Sequence, residues 1–461
     1  MSDSLIHTPP FHKVVCAIGD AAVLISSVLL AFLSLPRELG GTAAADAKLA
    51  VLIAVTGLSL YYNDLYEESA PPGRAELLAR IIVALLTAGI VLGAVYYMAP
   101  GVRLGRFILI LGFPFACVGL MLWRSVFYWV LSRDALTQNI VILGTGSMAV
   151  DIARMVLDSK GRGYRVLGFL GDDPAMVGQS LLNPCVLGTL DGLESLSQRV
   201  RIDSVVVALE DRRGRLPLDS LMSCRAEGIR VEDAAAFHER YTGQVPVRSL
   251  RPSSFIFSLA FNNSQMFRGF KAVVDFLLAL TGLVIAFPVL VGAGLLLWLE
   301  SGWPVTYSQK RVGRRGKPFV LYKLRTMRLN AELESGPVWA AAEHDPRITR
   351  VGRLLRKTRL DELPQLINVL KGEMSFVGPR PERPIFVEKL RKAIPYYDAR
   401  HAVRPGITGW AQTRFTYSST IEESERKLQY DLYYVKNMSF YLDMLILIDT
   451  AKVSLLGKGA R

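Results

Sequence analysis

Residues 272–299 have the sequence AVVDFLLALTGLVIAFPVLVGAGLLLWL, which is long and apolar enough to enter a membrane. Its only charged residue is Asp275, near the start, and Pro288 lies in the middle, where it kinks or breaks a helix. Basic residues flank both ends, Arg268 and Lys271 before the segment and Lys310 and Arg311 after it. A re-entrant helix that turns back at Pro288 keeps both cationic flanks on one side of the membrane. A proline-kinked span, which places them on opposite sides, is the alternative.

Four apolar stretches precede this segment, at residues 14–35, 49–62, 77–98 and 107–131. Three of them reach the roughly 20 residues needed to cross a bilayer, and the second does so if flanking residues are included. Lys and Arg are shared evenly between the two sets of loops, so the charges do not orient the block. We predict a four-span helical bundle over residues 1–136, with both of its ends on the same side of the membrane.

The charge of the 461-residue chain is unevenly distributed. Residues 301–461 carry 29 basic and 16 acidic side chains, whereas residues 1–300 carry 25 of each. A cationic C-terminal third indicates a polyanionic partner such as nucleic acid, acidic lipid or a phosphorylated substrate. The four Cys and five His lack metal-site or redox spacing, so neither a structural zinc site nor a disulfide framework is expected.

A strand, a glycine turn and a helix follow the four spans. Residues 140–143 (IVIL) form a buried strand, and GTGSMA at 144–149 leads into a helix. Further strands are predicted at 166–170 and 205–209, with helices at 190–199 and 218–228, which indicates a doubly wound α/β domain. We predict a Rossmann-like, CoA-binding-like domain over residues 137–250. Gly144 and Gly146 are a candidate nucleotide-binding turn, and a purely structural turn is the alternative because Ala149 replaces the third glycine.

Three segments of the cationic third are candidates for chemistry. In the first, residues 309–327, basic residues alternate with glycine and apolar residues, as in a hairpin that presents cations. In the second, Asp361 and Glu362 begin a helix that ends at Gly372 and follow a run of Arg and Lys. In the third, residues 374–382, two prolines bracket Arg380 and hold its guanidinium in a place suited to bidentate phosphate binding. Solvated basic faces, an ordinary N-cap and a rigid loop are the alternatives for the three segments.

Taken together, these segments carry a specific resemblance. DPRITRVGR at 345–353, DELPQ at 361–365 and VGPRP at 377–381 resemble the bacterial polyprenyl-phosphate hexose-1-phosphate transferases, also called monotopic phosphoglycosyl transferases. The resemblance covers residues 255–461, and the spans and the Rossmann-like domain match the long form of the family. FHERYTGQVPV at 237–247 and SLRPS at 249–253 resemble its exopolysaccharide branch.

The resemblance implies a set of site residues. Asp361 and Glu362 correspond to the active-site carboxylate pair of the family and are the candidate Mg²⁺ ligands. Asp361 is the expected nucleophile, and Glu362 is expected either to hold the metal or to orient the phosphate. The implied substrate- or phosphate-binding residues are Lys323, Arg325, Arg380, Arg311 and Asp431. Pro288 corresponds to the membrane break, although Phe287 stands where the family often has serine, so a hydroxyl-assisted kink is not expected.

The resemblance also implies a fold and an activity. The fold class is a membrane protein with a four-span helical bundle, a Rossmann-like domain and a mixed α/β catalytic domain over residues 251–461, anchored by a re-entrant helix. The activity is transfer of sugar-1-phosphate from a UDP-sugar, glucose or galactose being expected, to undecaprenyl phosphate, with UMP released through a covalent Asp intermediate. The implied location is the bacterial inner membrane, with the catalytic domain facing the cytoplasm, and the implied pathway is exopolysaccharide biosynthesis.

Two other functions stay open. A membrane-anchored sugar-nucleotide dehydratase or epimerase usually needs a Tyr-x-x-x-Lys pair, and none of the 17 Tyr has Lys four residues later. A scaffold for polysaccharide assembly would share the spans but would not need Asp361, Glu362 and Arg380. We do not expect nucleic-acid binding, because the basic residues are not interleaved with an aromatic platform. The oligomeric state is open, a homodimer being one alternative.

Overall fold

The chain divides into two compact units, Met1–Ala234 and Ala235–Arg461. The computed structural model describes residues 11–34, 42–63, 65–66, 74–131, 137–158, 164–209, 216–249, 265–329, 331, 345–415 and 420–455. The candidate site residues all lie within these ranges, so the geometry around each of them is known.

The first unit begins with four long helices. Their bounds are α1 (Phe11–Ser34), α2 (Thr42–Tyr62), α3 (Arg74–Met98) and α4 (Arg106–Leu131). By length and composition α1, α3 and α4 can cross a membrane, and α2 contains a shorter apolar stretch, Ala47–Tyr62. Many large apolar side chains on these helices are exposed, Ile90 and Leu33 among them, as expected for surfaces that face lipid. Three of the four predicted spans are therefore helices long and apolar enough to cross a membrane, and the second predicted span is a helix with a shorter apolar stretch.

A buried ion pair joins the first and last helices of this bundle. Arg124 of α4 donates to Asp20 of α1 at 2.6 Å, and both side chains are almost fully buried. The same guanidinium donates to the carbonyl oxygen of Leu65 at 2.6 Å. Because an unpaired charge in an apolar bundle is costly, this pairing accounts for the two charged residues there.

A five-stranded parallel sheet follows the bundle, with the strand order β3-β2-β1-β4-β5. Its strands are β1 (Gln138–Leu143), β2 (Tyr164–Gly171), β3 (Val186–Thr189), β4 (Ser204–Val207) and β5 (Arg230–Asp233). The helices between them are α5 (Ser147–Asp158), α6 (Leu193–Arg199) and α7 (Leu218–Ala226). The predicted doubly wound α/β pattern is thus present. Strand β1 lies at the centre of the sheet, and its residues Ile140–Leu143 are fully buried as a result.

The glycine turn after β1 has a packing requirement. Gly144 has φ +117°, and a Cβ there would lie 2.7 Å from the carbonyl oxygen of Ala208 at the end of β4. Only glycine satisfies both conditions without strain. Gly146 precedes α5 and accepts a hydrogen bond from the amide of Val150 at 3.2 Å. Packing is therefore sufficient to explain Gly144, and the nucleotide-binding reading of this turn stays a prediction.

The second unit begins earlier in the chain than the predicted boundary at residue 250. It starts at Ala235, inside helix α8 (Ala234–Thr242). Glu239 of α8 accepts a hydrogen bond from Lys436 at 2.7 Å, and the carbonyl oxygen of Gly243 accepts one from Trp410 at 3.0 Å. Because these contacts bind residues 235–249 to the C-terminal part of the chain, they belong with the predicted catalytic domain.

Helix α9 (Gln265–Ser301) contains the apolar segment with Pro288 and is continuous through that residue. The predicted break of the helix at Pro288 is therefore not confirmed, because a proline inside a helix can be accommodated by a kink without ending the helix. At 1.5 Å per residue its path is about 55 Å long. One stripe of the helix is buried along its whole length, and its members are Asp275, Ala279, Ala286, Ala293 and Leu297. The outer face exposes large apolar side chains such as Ile285, Phe287 and Leu299.

Both ends of α9 contact the same unit. Near the start, Lys271 donates to Asp443 at 2.6 Å. At the end, Arg325 donates to the carbonyl oxygens of Ser301 and Gly302 at 2.7 and 2.6 Å. The helix therefore lies along the second unit rather than projecting away from it at either end.

The remaining elements form a mixed α/β body around α9. Strands β6 (Thr306–Val312) and β7 (Pro318–Leu324) make an antiparallel hairpin, and β8 (Ser375–Val377) and β9 (Gly406–Thr408) make a short parallel pair. The helices are α10 (Arg350–Lys357), α11 (Gln365–Leu370), α12 (Pro384–Ala393), α13 (Trp410–Arg414), α14 (Ile421–Asn437) and α15 (Phe440–Leu455). The largest core lies between α14, α13 and β8, where Tyr433 and Tyr434 are buried.

Candidate active site

A short turn between α10 and α11 carries the two candidate carboxylates. Residues Leu360–Glu362 form a single 3₁₀ turn, after Arg359 has ended the preceding helix in the left-handed conformation with φ +56°. Helix α11 begins at Gln365, with Pro364 before it, and not at Asp361 as predicted. The i→i+3 bond from the amide of Leu363 to the carbonyl oxygen of Leu360 makes this turn tighter than an α-helix.

Glu362 lies between two cations. Its Oε1 accepts hydrogen bonds from Arg380 at 2.7 Å and from Lys323 at 3.0 Å, and Arg359 is 3.8 Å from Oε2. Burial alone would raise the pKa of Glu362, but the charges of Arg380 and Lys323 outweigh it and hold that pKa well below its usual range. Burial lowers the pKa of Lys323, and the attraction of Glu362 opposes this. Glu362 is therefore an ionised and compensated carboxylate.

Asp361 is the opposite case. Its side chain is 8% exposed, and among the described residues its carboxylate forms no hydrogen bond or ion pair. Burial raises the pKa of Asp361, the neighbouring Glu362 adds to this, and the charges of Lys323, Arg356 and Arg380 oppose it. A carboxylate next to cations but not bonded to any of them keeps its lone pairs available for a reacting atom or a metal ion.

Backbone packing holds the loop that carries Arg380. A Cβ on Gly378 would lie 2.4 Å from the carbonyl oxygen of Arg404, and one on Gly406 would lie 2.1 Å from the amide nitrogen of Gly378. The two chain segments therefore touch backbone to backbone. Arg400 adds a hydrogen bond to the carbonyl oxygen of Arg380 at 2.9 Å. The loop is thus supported from its far side while its guanidinium reaches Glu362.

Asp431 supports this arrangement from behind. It is buried and pairs with Arg400 at 2.6 Å. Burial raises the pKa of Asp431, and the charge of Arg400 opposes the rise. The structure therefore connects Asp431 to Arg380 through Arg400 and does not place it against Asp361 or Glu362.

Arg311 lies on the other side of the same loop. It donates to the carbonyl oxygen of Pro381 at 3.1 Å and is 3.7 Å from Glu382. Burial lowers the pKa of Arg311 to about 10, and Glu382 opposes the shift. Glu382 also accepts a hydrogen bond from Lys427 at 2.6 Å. Although burial would raise the pKa of Glu382, Lys427 and Arg400 lower it to about 2.

Arg325 is placed away from this cluster. Its Nη2 donates to the carbonyl oxygens of Ser301 and Gly302 and to the hydroxyl of Ser301. These bonds satisfy the carbonyl end of α9, which is a structural task. Of the predicted cations, Lys323 and Arg380 contact Glu362, Arg311 contacts the Arg380 loop, and Arg325 contacts the end of α9.

Sequence reasoning did not single out two arginines near the site. The charge of Arg356 acts on Asp361, and its Nε donates to Thr326 at 2.8 Å. Arg400 joins Asp431 to Arg380. Arg356 lies in a run of basic residues, and nothing in the sequence distinguishes it from the other members of that run. Arg400 lies outside any recognised motif. Both residues are therefore identified only by the fold.

The residues present are compatible with Mg²⁺. Within the described ranges no group of three His, Cys, Asp or Glu side chains could hold a metal ion by itself. Mg²⁺ is usually bound by one or two carboxylates together with substrate phosphates. The unpaired carboxylate of Asp361 and the more weakly engaged Oε2 of Glu362 supply that kind of donor set.

Comparison with known proteins identifies the families that this chain matches. The family model described as bacterial sugar transferase matches residues 266–457, and one described as CoA-binding domain matches residues 62–232. The first match contains α9, the carboxylate pair and the Arg380 loop. The second ends beside β5, which agrees with the division of the chain into units.

Three relatives illustrate the similarity. The chain is 38% identical over 263 residues to the UDP-N-acetylgalactosamine-undecaprenyl-phosphate N-acetylgalactosaminephosphotransferase of Aeromonas hydrophila, covering 57% of this chain and 61% of that protein. It is 55% identical over 130 residues to a putative undecaprenyl-phosphate N-acetylgalactosaminyl 1-phosphate transferase of Bacillus subtilis, covering 28% of this chain and 72% of the relative. It is 30% identical over 370 residues to the undecaprenyl-phosphate glucose phosphotransferase of Komagataeibacter xylinus, covering 78% and 67%.

The chain spans about three fifths of the Aeromonas relative and two thirds or more of the other two. The apolar helices and the membrane-lipid substrates in the relatives' names together indicate a membrane protein. Since both the family model and relatives covered over most of their length agree, the chain belongs to the bacterial sugar transferase family, as its motifs predict.

Proposed function

We propose that this protein transfers sugar-1-phosphate from a UDP-sugar to undecaprenyl phosphate, which gives undecaprenyl-diphosphate-sugar and UMP. The reaction would be the first membrane step of exopolysaccharide biosynthesis. The observation that carries the proposal is the difference in bonding between two adjacent carboxylates. Glu362 is compensated by two cations, whereas the buried carboxylate of Asp361 has no bonded partner among the described residues.

In the first step, a carboxylate oxygen of Asp361 attacks the β-phosphorus of the UDP-sugar. A bond forms between this oxygen and phosphorus, and the bond from phosphorus to the oxygen bridging the two phosphates breaks. UMP leaves with that oxygen, and the sugar phosphate stays on Asp361 as an acyl phosphate. A carboxylate that is desolvated and has no bonded partner among the described residues suits this attack.

In the second step, an oxygen of undecaprenyl phosphate attacks the same phosphorus. The new bond completes the diphosphate, and the bond to Asp361 breaks and restores its carboxylate. The two steps balance without an additional reactant. Because the acceptor is also a phosphate, one set of cations serves both half-reactions.

Lys323 and Arg380 are the cations nearest to the reacting centre. An entering phosphate can take hydrogen bonds from their remaining N–H groups while Glu362 holds both side chains in place. Arg356 adds positive charge on the Asp361 side. Bound Mg²⁺, held by Asp361 or Glu362 and the substrate phosphates, would neutralise charge that develops in the transition state.

Although α9 is not broken at Pro288, the contacts of its two ends favour a re-entrant placement over a membrane span. A straight span would separate its two ends by the membrane, but Lys271 and Ser301 both contact the second unit. The outer face of the helix is apolar and its inner face packs on the catalytic body. We therefore propose that α9 enters and leaves the cytoplasmic side of the inner membrane, where UDP-sugars are available and a lipid-bound phosphate can meet the site without leaving the bilayer.

The donor sugar is part of the proposal. Glucose or galactose is expected from the exopolysaccharide-like motifs. The relatives' names include both glucose and N-acetylgalactosamine transferases. Because these sugars differ by single hydroxyl or acetyl contacts, a donor panel has to include all three.

The test is UMP release by detergent-solubilised protein with Mg²⁺, undecaprenyl phosphate and UDP-glucose, UDP-galactose or UDP-N-acetylgalactosamine. We expect lipid-dependent UMP release with one donor and its loss in Asp361→Asn. Asp398→Asn, an exposed aspartate outside the site, is the matched control and should retain activity. Without acceptor lipid, the wild type should release up to one UMP per protein and carry the mass of a sugar phosphate on the peptide containing Asp361.

Two results would contradict the proposal. Full activity in Asp361→Asn would exclude this residue as the nucleophile. Absence of UMP release with every donor, from folded protein supplied with lipid and metal, would exclude UDP-sugar transfer and favour a scaffold function.

A further inference from the structure

Asp275 is a charged residue in a membrane-associated helix that the proposed chemistry does not use. Its side chain is 5% exposed, on the face of α9 that packs against the second unit. A carboxylate in such a helix is costly unless it is bonded, and residues of this kind are usually functional. Its bonding partner therefore indicates what it does.

The partner is the strand that leads into the Arg380 loop. Oδ1 of Asp275 accepts a hydrogen bond from the amide of Phe376, in β8, at 3.2 Å. The next residue, Val377, is held from the other side, because its carbonyl oxygen accepts a hydrogen bond from the hydroxyl of Tyr434 at 3.0 Å. Polar side chains thus hold β8 immediately before Gly378 and Arg380.

The contacts continue back to α9. The hydroxyl of Tyr434 also lies 2.7 Å from Oδ1 of Asp443, and Oδ2 of Asp443 accepts a hydrogen bond from Lys271 at 2.6 Å. Lys271 and Asp275 are four residues apart, so they lie on the same face of the helix one turn apart. These contacts form a closed chain that runs from α9 to β8, on to Tyr434 and Asp443, and back to α9.

We infer that Asp275 is a positioning residue, which fixes the strand before the Arg380 loop to α9 and thereby holds the geometry of the active site. The inference rests on the proposed function for its activity readout. It assigns the residue no contact with substrate. Asp275 acts on Phe376, and β8 transmits the position to Arg380.

This role predicts a specific ranking of variants. Asp275→Asn keeps an oxygen that can accept the Phe376 amide, whereas Asp275→Leu has a similar shape and no acceptor. Displacements of about 1 Å in a catalytic group cost on the order of 100-fold in rate. We therefore expect Asp275→Leu to lose roughly 10- to 100-fold in kcat, and Asp275→Asn to stay within about threefold of the wild type.

Rescue by the conservative variant separates positioning from simple loss of folded protein. Asp275→Asn removes the charge and keeps an acceptor for the Phe376 amide. A loss of kcat per folded molecule in Asp275→Leu that Asp275→Asn does not share therefore follows the acceptor, whereas a smaller folded fraction alone leaves kcat per folded molecule unchanged.

Glu300 provides the matched control. It is the acid at the other end of α9, and its carboxylate accepts hydrogen bonds from the amides of Arg350 and Val351 at 2.8 and 3.1 Å. Glu300→Leu removes an acid and backbone hydrogen bonds from the same helix without touching β8. It should keep kcat per folded molecule within about threefold of the wild type.

Hydrogen exchange supplies a readout that needs no activity. In protein held in nanodiscs, amides of residues 376–382 should exchange faster in Asp275→Leu than in the wild type, Asp275→Asn or Glu300→Leu. Equal exchange in this segment, or an Asp275→Leu variant with the wild-type kcat per folded molecule, would overturn the inference. If the wild type releases no UMP but the exchange difference is present, the proposed function fails while the link between α9 and the loop is supported.

Discussion

Replacing Arg380 with alanine should expose how much the site depends on the pairing at Glu362. Glu362 is 11% exposed and Arg380 32% exposed, and their closest atoms are 2.7 Å apart. The variant leaves a mostly buried carboxylate with Lys323 at 3.0 Å and the more distant Arg359 at 3.8 Å as its neighbouring cations. Both stability and pH dependence should change.

The magnitude follows from the geometry. A charge pair with about 4 Å between charge centres contributes ~4 kcal/mol at an effective dielectric of about 20. Because Arg380 is about one-third exposed, solvent screening reduces this to roughly 2 kcal/mol. For a unit of this size that corresponds to a loss of about 4–8 °C in Tm.

The pH range of the effect is also defined. The folded-state pKa of Glu362 lies below its value of about 4.3 in an unfolded chain. Its stabilising contribution is therefore complete well above that value and is lost as the pH falls through the folded-state pKa. The difference between the wild type and Arg380→Ala should be constant between about pH 6 and 8.

Thermal unfolding in detergent at several pH values provides the assay, with Arg391→Ala as the control. Arg391 and Asp398 are joined at 2.7 Å, but both are about half exposed. That control should change stability by less than about 1 kcal/mol. Equal losses in Arg380→Ala and Arg391→Ala, or a difference that varies between pH 6 and 8, would refute the reasoning. The acid limb of activity should move to higher pH in Arg380→Ala, because the pKa of Asp361 loses a cation that lowers it.

Three further predictions follow from the placement of single side chains. Arg325→Ala should lower the stability of the second unit by ~2–3 kcal/mol in thermal unfolding, because the guanidinium of Arg325 holds the end of α9. The KM for the donor should stay unchanged, and a raised KM would instead support a substrate contact. Asp431→Asn leaves the buried charge of Arg400 without its partner, so we expect a loss of ~3–5 kcal/mol in urea unfolding together with reduced kcat, and an unchanged stability would contradict the pairing. Gly144→Ala should destabilise the first unit by ~1–3 kcal/mol because of its φ of +117° and the contact with Ala208, while UMP release below the unfolding temperature stays at the wild-type level.

Apolar patterns in the sequence were sufficient to predict those helices and strands whose residues are all buried in one kind of environment. The apolar runs gave α1 to α4, and the strand at Ile140–Leu143 gave the centre of the parallel sheet. Their residues are apolar for one reason, burial in lipid or in a sheet core, so the sequence reports it directly. The start of α11 was placed four residues too early because the tight turn at Asp361 and a following helix share the same residue preferences.

The sequence indicated which candidate residues lie together but not how they are arranged. The motifs identified Asp361, Glu362 and Arg380, but the separate environments of the two carboxylates depend on Lys323, which comes from a hairpin far away in sequence. Arg325 lies only two residues from Lys323 and yet serves the end of α9. A basic residue in a run has no local signal for its partner, because that partner is set by tertiary contacts.

The backbone contact beneath the Arg380 loop also limits how this protein can diversify. At Gly378 and Gly406 any side chain would overlap the neighbouring main chain, so no single substitution at either position offers a tolerated intermediate. Substitutions at these two positions are therefore expected to be rejected in natural evolution and in laboratory libraries alike. A change in the preferred sugar must therefore be sought in side chains around the site, and saturation libraries should leave both glycines unaltered.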